Sequence, residues 1–200
     1  MKIENTEVFG LERSIQASGF PMQKKDYSEK RAVRLGSCNP GTGHDCFLKG
    51  IIVQADITAP QYWWLQWQRY HFYNGGERDP LTDIISSESK MHRILKMDIA
   101  EQCNEYVDKT IKDYLKELIA IYNDKYLSMS DVDKSVFYQR IIANCPMGLF
   151  LKVAIVTNYL QIKSMYLQRQ GHKLVEWKYF RDWANELPMF NQLIGIRKKG

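Results

Sequence analysis

Ala59 to Glu77, A-P-Q-Y-W-W-L-Q-W-Q-R-Y-H-F-Y-N-G-G-E, is the stretch around which the rest of the chain is organised. Pro60 suits the first turn of a helix, where a missing N–H leaves no acceptor wanting. Tyr62 to Arg69 then packs three tryptophans, two glutamines and an arginine into eight residues. Asn74-Gly75-Gly76 stops the helix, because such residues reach left-handed backbone angles cheaply. Gln66 and Arg69 stand three apart and project from one helical face, with Glu77 on the loop behind them. A guanidinium, an amide and a carboxylate on an aromatic platform are the parts of a nucleotide pocket. The same residues equally suit a half-buried helix whose arginine pairs with a nearby carboxylate, and spacing alone does not choose.

The chain has 200 residues, enough for one domain with a sizeable core. An apolar fraction of 44% with 12% aromatics belongs to a globular protein and excludes a disordered chain. Lys and Arg exceed Asp and Glu by 28 to 23, and Arg197, Lys198 and Lys199 form a short basic tail. That balance suits phosphorylated ligands and falls short of the footprint of a nucleic-acid binder. The N-terminus, M-K-I-E-N-T-E-V-F, is acidic where a signal peptide is apolar, and no apolar run is long enough to span a bilayer. The expectation is a cytoplasmic protein whose Cys38, Cys46, Cys103 and Cys145 are reduced thiols. Cys38, His44 and Cys46 lack a C-x-x-C pair and a fourth ligand, so no metal is expected.

Along the chain, residues 2–9 read as a strand and 19–27 as a loop. Ser28 caps a short basic helix to Leu35 with Arg31 and Arg34 exposed. Ser37 to Gly43 is turn-rich and carries no P-loop pattern. Leu48 to Ile57 is the clearest strand, with Ile51, Val53, Ala55 and Ile57 on one face. Arg78 to Lys90 is polar and reads as a long loop. Met91 to Tyr126 predicts a long helical stretch with Val107, Ile111, Tyr114, Leu115, Leu118 and Tyr122 as its core stripe. Ser130 and Asp133 form a capping box for a helix ending before Pro146. Leu149 to Thr157 is strand-like, and Asn158 opens a helix that closes near Gly171. A last helix, from about His172 to Glu186, turns Val175, Tyr179 and Trp183 inward and stops at Pro188. The fold class is α+β: a small antiparallel sheet flanked by long helices, in a single domain over residues 1–200.

The order of parts from Arg31 to Pro188 resembles the flavin-dependent thymidylate synthases, ThyX. Gly43-His44, a strand and then Ala59-Pro60 are similar to that family's G-H … A-P segment. Gln66-Trp67-Gln68-Arg69 resembles its Q-W-x-R step, and Asn158 and Arg169 resemble its N-x-R … L-R segment. The signature that follows Q-W-x-R is damaged. Tyr70 replaces its histidine and His71 its second arginine, Asn74 and Gly76 replace a serine and an asparagine, and Glu77 falls on its glutamate. Leu160 replaces the arginine of N-x-R, Ser164 stands where asparagine is common, and Leu174 replaces the glutamine of A-Q-x-E although Glu176 fits its glutamate.

The resemblance implies a dUMP pocket built from Gln66, Arg69, Glu77 and Arg169, with Arg140 a looser match. It leaves Arg69, His71 and Asn158 as the candidates on the flavin side, whose arginines are missing, and assigns no catalytic residue. The implied function is a divergent ThyX-like protein with the same fold, binding a pyrimidine nucleotide. It methylates that nucleotide with FAD, NADPH and methylenetetrahydrofolate if the synthase chemistry survives. The alternative is a non-catalytic nucleotide binder that has lost the flavin site. Family members are homotetramers, so an oligomer is expected. The Trp63, Trp64, Trp67 cluster reads as core or subunit interface rather than flavin-stacking, and His44 as solvated.

Overall fold

Ile51, Val53, Ala55 and Ile57 are all buried, so the alternation that marks this segment as a strand is the alternation the fold uses. In the computed structural model, which describes residues 1–71 and 83–196, it becomes the second strand of a four-stranded sheet. The elements run β1 (Lys2–Phe9), α1 (Leu11–Ala17), α2 (Glu29–Gly36), β2 (Ile52–Pro60), α3 (Gln61–Trp67), β3 (Asp83–Ser87), α4 (Lys90–Arg93), α5 (Ile99–Gln102), α6 (Lys109–Lys125), α7 (Asp131–Ala143), β4 (Phe150–Asn158), α8 (Tyr159–Gln168), α9 (Val175–Glu186) and α10 (Phe190–Leu193). The sheet is small, open and antiparallel, in the order β1-β2-β4-β3. Crossing from β2 to β4 in sequence requires the whole of α3 to α7, which is why the fold is α+β rather than a simple meander.

The described residues form two compact units. One holds residues 1–57, 66–86 and 153–200, the other residues 58–65 and 87–152. In the first, a dehydrated ion pair fixes α8. The Lys163 ammonium donates to Asp45 Oδ2 at 2.6 Å, to the Cys38 carbonyl at 2.7 Å and to the Gly36 carbonyl at 2.8 Å. Its three protons are thereby all engaged. The loop after α2 is held to α8 by one buried cation. Tyr159, at the start of α8, donates to the Pro188 carbonyl at 2.7 Å and meets Phe190 edge-on. Gly36 is required where α2 runs under α10, because a Cβ there would strike the Leu193 carbonyl oxygen.

In the second unit, α5, α6 and α7 enclose Ile94, Leu115, Leu118, Ile119, Tyr122, Ile141 and Leu149. The start of α3 is tied in by backbone bonds from Gln61 N–H to the Leu149 carbonyl and from Tyr62 N–H to that of Met147. The Trp64 indole donates to the Leu151 carbonyl, and Asn104 to the Tyr62 hydroxyl at 2.9 Å.

Four local expectations are corrected. Arg31 is buried rather than exposed, donating to Ser18 Oγ, the Asp26 carboxylate and the Asp26 carbonyl. Arg78 to Lys90 is not all loop. Asp83–Ser87 is the edge strand β3, and Glu88 extends its hold by accepting from Lys152 N–H and donating its own N–H to the Lys152 carbonyl. The stretch from Met91 to Tyr126 is broken, because Asp98 caps α5 through Ala100 N–H and α6 starts only after Asp108. Its buried stripe is Leu115, Leu118, Ile119 and Tyr122, the i, i+3, i+4, i+7 set, while Ile111 and Tyr114 are exposed. On α9 the buried face is Trp177, Phe180, Trp183 and Ala184, and Tyr179 points outward.

Removing one member of a buried pair leaves an uncompensated charge, at a cost of roughly 3–5 kcal/mol. Lys163→Met is therefore expected to destabilise the protein by about that amount in urea unfolding. Adding Asp45→Leu should recover part of the loss; a single mutant indistinguishable from wild type would contradict the pair's role.

Candidate functional site

α8 and α9 form a hairpin whose turn assembles the site. Asn158 opens α8 as its N-cap, accepting the Gln161 N–H at 3.0 Å. Arg169 sits at the C-cap, with its N–H on the Met165 carbonyl, where the negative end of the helix dipole favours a cation. Gly171, at φ +68°, reverses the chain. His172 Nδ1 accepts the Leu174 N–H at 3.1 Å, and α9 then starts at Val175. That bond fixes the neutral imidazole with its proton on Nε2.

The hairpin lays the Arg169 guanidinium on two rings. Its central carbon is 4.8 Å from the Trp177 ring and 5.2 Å from the Tyr70 ring, which themselves meet at 5.8 Å edge to face. Such stacking holds a cation by about 0.5–2 kcal/mol and fixes its plane. The Trp177 indole donates to Gln66 Oε1 at 2.9 Å, and the Tyr70 hydroxyl donates to Gln168 Oε1 at 3.4 Å. Arg169 Nε is buried with no acceptor among the described residues. Burial raises the Tyr70 hydroxyl pKa against the opposing pull of Arg169. The His172 pKa is lowered, by burial first and by the Arg169 charge second.

Of the residues expected from the sequence, Gln66 and Arg169 are brought together, through Trp177. Arg69 is exposed on the 3-10 turn Gln68–His71. Asn158 is fully buried as a helix cap. Arg140 belongs to the other unit, where it donates to the Tyr114 hydroxyl at 3.0 Å and lies 5.6 Å from the Phe137 ring. Glu77 and the side chain of His71 lie outside the described residues. Trp63, Trp64 and Trp67 are buried, and His44 is exposed. Sequence reasoning missed Tyr70, Trp177 and His172 as parts of the site. An aromatic in the first turn of α9, facing the arginine that closes α8, was the available signal.

A separate cavity of about 190 Å³ lies along α8, lined by Gly41, Asp45, Lys49, Leu160, Lys163 and Ser164. Here Leu160 is apolar and Lys163 is fully engaged by Asp45 and two carbonyls. The described residues on this side of α8 offer a flavin Lys49, Gln161 and Ser164 but no arginine. Among the described residues no three His, Cys, Asp or Glu side chains converge on a metal position, and no helix is long and apolar enough to cross a membrane.

The fold is that of the flavin-dependent thymidylate synthases. Two solved structures of ThyX from Helicobacter pylori, each with FAD and dUMP, match with TM-scores of 0.69 and 0.70. Each covers 97% of this chain and 97% of its own, at 12% sequence identity. No known family profile matches the sequence, and no curated protein is recognisably similar to it.

With its pKa lowered, His172 should titrate below its ordinary 6.5 in an NMR pH series. Arg169→Gln is expected to move the midpoint up without reaching 6.5, because burial is the larger cause. The unfolded chain then takes the proton first, so this group costs the fold stability as pH falls below 6.5. A midpoint at or above 6.5 in the wild type would contradict the placement.

Proposed function

We propose that this protein binds a pyrimidine nucleoside monophosphate of the dUMP type at the α8–α9 hairpin, as a binding protein without flavin chemistry. The observation that carries this reading is the Arg169 guanidinium lying against the Tyr70 and Trp177 rings with its buried Nε lacking an acceptor among the described residues. A guanidinium fixed in plane grips a phosphate or a ring carbonyl in bidentate fashion, which a lysine does not. Gln66 adds to it in a defined sense. Its Oε1 is engaged by the Trp177 indole, so its amide N–H groups are what it has left for a ligand. Site and ligand then match as donors against acceptors: Arg169 and Gln66 give protons, and phosphate and uracil carbonyl oxygens receive them.

Arg69 supplies a second positive charge from the same turn of chain as Gln66, and Glu77 is the carboxylate proposed to order the arginines. His172, neutral and with its proton on Nε2, is a further donor beside Arg169. Arg140 is left out of this proposal. The dUMP bound in both ThyX structures supports the nucleotide half of the resemblance. FAD is bound in both structures as well, and the reading without it rests on Leu160 and on the engagement of Lys163 by Asp45. Reduction by NADPH and one-carbon transfer from methylenetetrahydrofolate are not part of the proposal, since both run through the flavin. A homotetramer remains the expected assembly and is checked by light scattering.

Calorimetric titration with dUMP tests the reading. The wild type should saturate, and Arg169→Ala should bind about tenfold more weakly or worse, a loss of ~1.4 kcal/mol. Unchanged circular dichroism confirms that the variant folds. Equal affinity in the two proteins would remove Arg169 from the site, and no heat with either would remove the nucleotide.

A further inference from the structure

A second cavity of the first unit is not used by the nucleotide reading. It measures about 880 Å³ and lies between the end of α1, the 3-10 turn Phe20–Met22, α2 and the loop that carries Gly43 to Phe47. Phe20, Met22, Leu35 and Phe47 give it apolar and aromatic walls. Phe20 and Met22 remain 46% and 42% exposed, a large apolar area to leave facing water on a turn that costs little to bury. The volume falls within the roughly 300–1,000 Å³ of sites that take small organic ligands.

Two buried cations anchor the segments that line this cavity. On one side Arg31 clamps the end of α1 to the start of α2, through Ser18 Oγ at 3.2 Å and both oxygens of the Asp26 carboxylate. On the other side Lys163 holds the loop through Gly36, Cys38 and Asp45. The walls therefore belong to separately anchored segments. The polar lining is one-sided as well. Among the described lining residues Arg34, exposed on α2, carries the one fixed charge and none is a carboxylate, while Arg13 lies 5.1 Å from the ring of the wall residue Phe20.

We propose that this cavity binds an amphipathic monocarboxylate, its apolar body against Phe20, Leu35 and Phe47 and its carboxylate on the Arg34 guanidinium. An apolar chamber with a guanidinium at its rim suits this chemistry. A neutral hydrocarbon gains nothing from Arg34, whereas a nucleotide dianion brings more charge and polar edge than the walls can match. The site shares no lining residue with the Arg169 hairpin, so each reading can fail without the other.

Two thiols on the lining give the test a local reporter: Cys46 is exposed and Cys38 half-buried. The experiment displaces anilinonaphthalene sulfonate from the full-length protein with dodecanoate, and follows alkylation of Cys46 by N-ethylmaleimide with peptide mass spectrometry. Dodecanoate is expected to displace the dye saturably and to slow Cys46 alkylation, with dodecanol at least about tenfold weaker. Arg34→Gln, a change on an exposed position, should weaken dodecanoate by about tenfold and leave dodecanol unaffected. Phe20→Glu should abolish dye binding by placing a carboxylate in the wall, with circular dichroism confirming the fold of both variants. Equal displacement by dodecanol, wild-type affinity in Arg34→Gln, absence of Cys46 protection, or displacement by dUMP would each overturn the proposal.

Discussion

The buried pair between Lys163 and Asp45 is the constraint on which most of the first unit depends. A lysine ammonium out of water is tolerated only when all its protons are engaged, and here a carboxylate and two carbonyls do that. The consequence is geometric. The loop from Gly36 to Asp45 is tied to α8, with a cavity of about 190 Å³ beside Leu160 and one of about 880 Å³ toward Phe20 and Phe47, both lined by Gly43 and Cys46.

The same helix separates two tasks along its length. Its first turn is spent on structure: Asn158 caps it, Tyr159 anchors it to Pro188, and Lys163 holds the loop. At its C-cap, Arg169 lies against aromatic faces from α9 and from the 3-10 turn, with no carboxylate among the described residues paired to it. Rings fix a guanidinium in plane while leaving much of its hydrogen-bonding edge uncommitted. That is the physical basis for the proposed nucleotide-binding role.

Much of this architecture is legible in the sequence because it is local. The alternation of Ile51, Val53, Ala55 and Ile57 fixes β2, and the caps Ser28, Ser130 and Asn158 fix the starts of three helices within a residue. What is not legible is set by partners distant in sequence. Arg31 looks exposed until Asp26 and Ser18 fold around it, and β3 looks like loop until β4 arrives beside it. The candidate site divides the same way. Gln66 and Arg169 are visible as residues of the right chemistry, but their meeting runs through Trp177, which lies 111 residues from Gln66. Tyr70, read as the loss of a family histidine, is one wall of the arginine clamp.

The proposal of a ThyX-like fold that binds a nucleotide without flavin is tested most directly by a visible absorption spectrum. The purified protein is incubated with FAD and saturating dUMP, desalted, and scanned. A colourless protein is expected, because Leu160 is apolar and Lys163 is already engaged by Asp45. A retained, stoichiometric flavin band would contradict it and return the protein to the synthase reading.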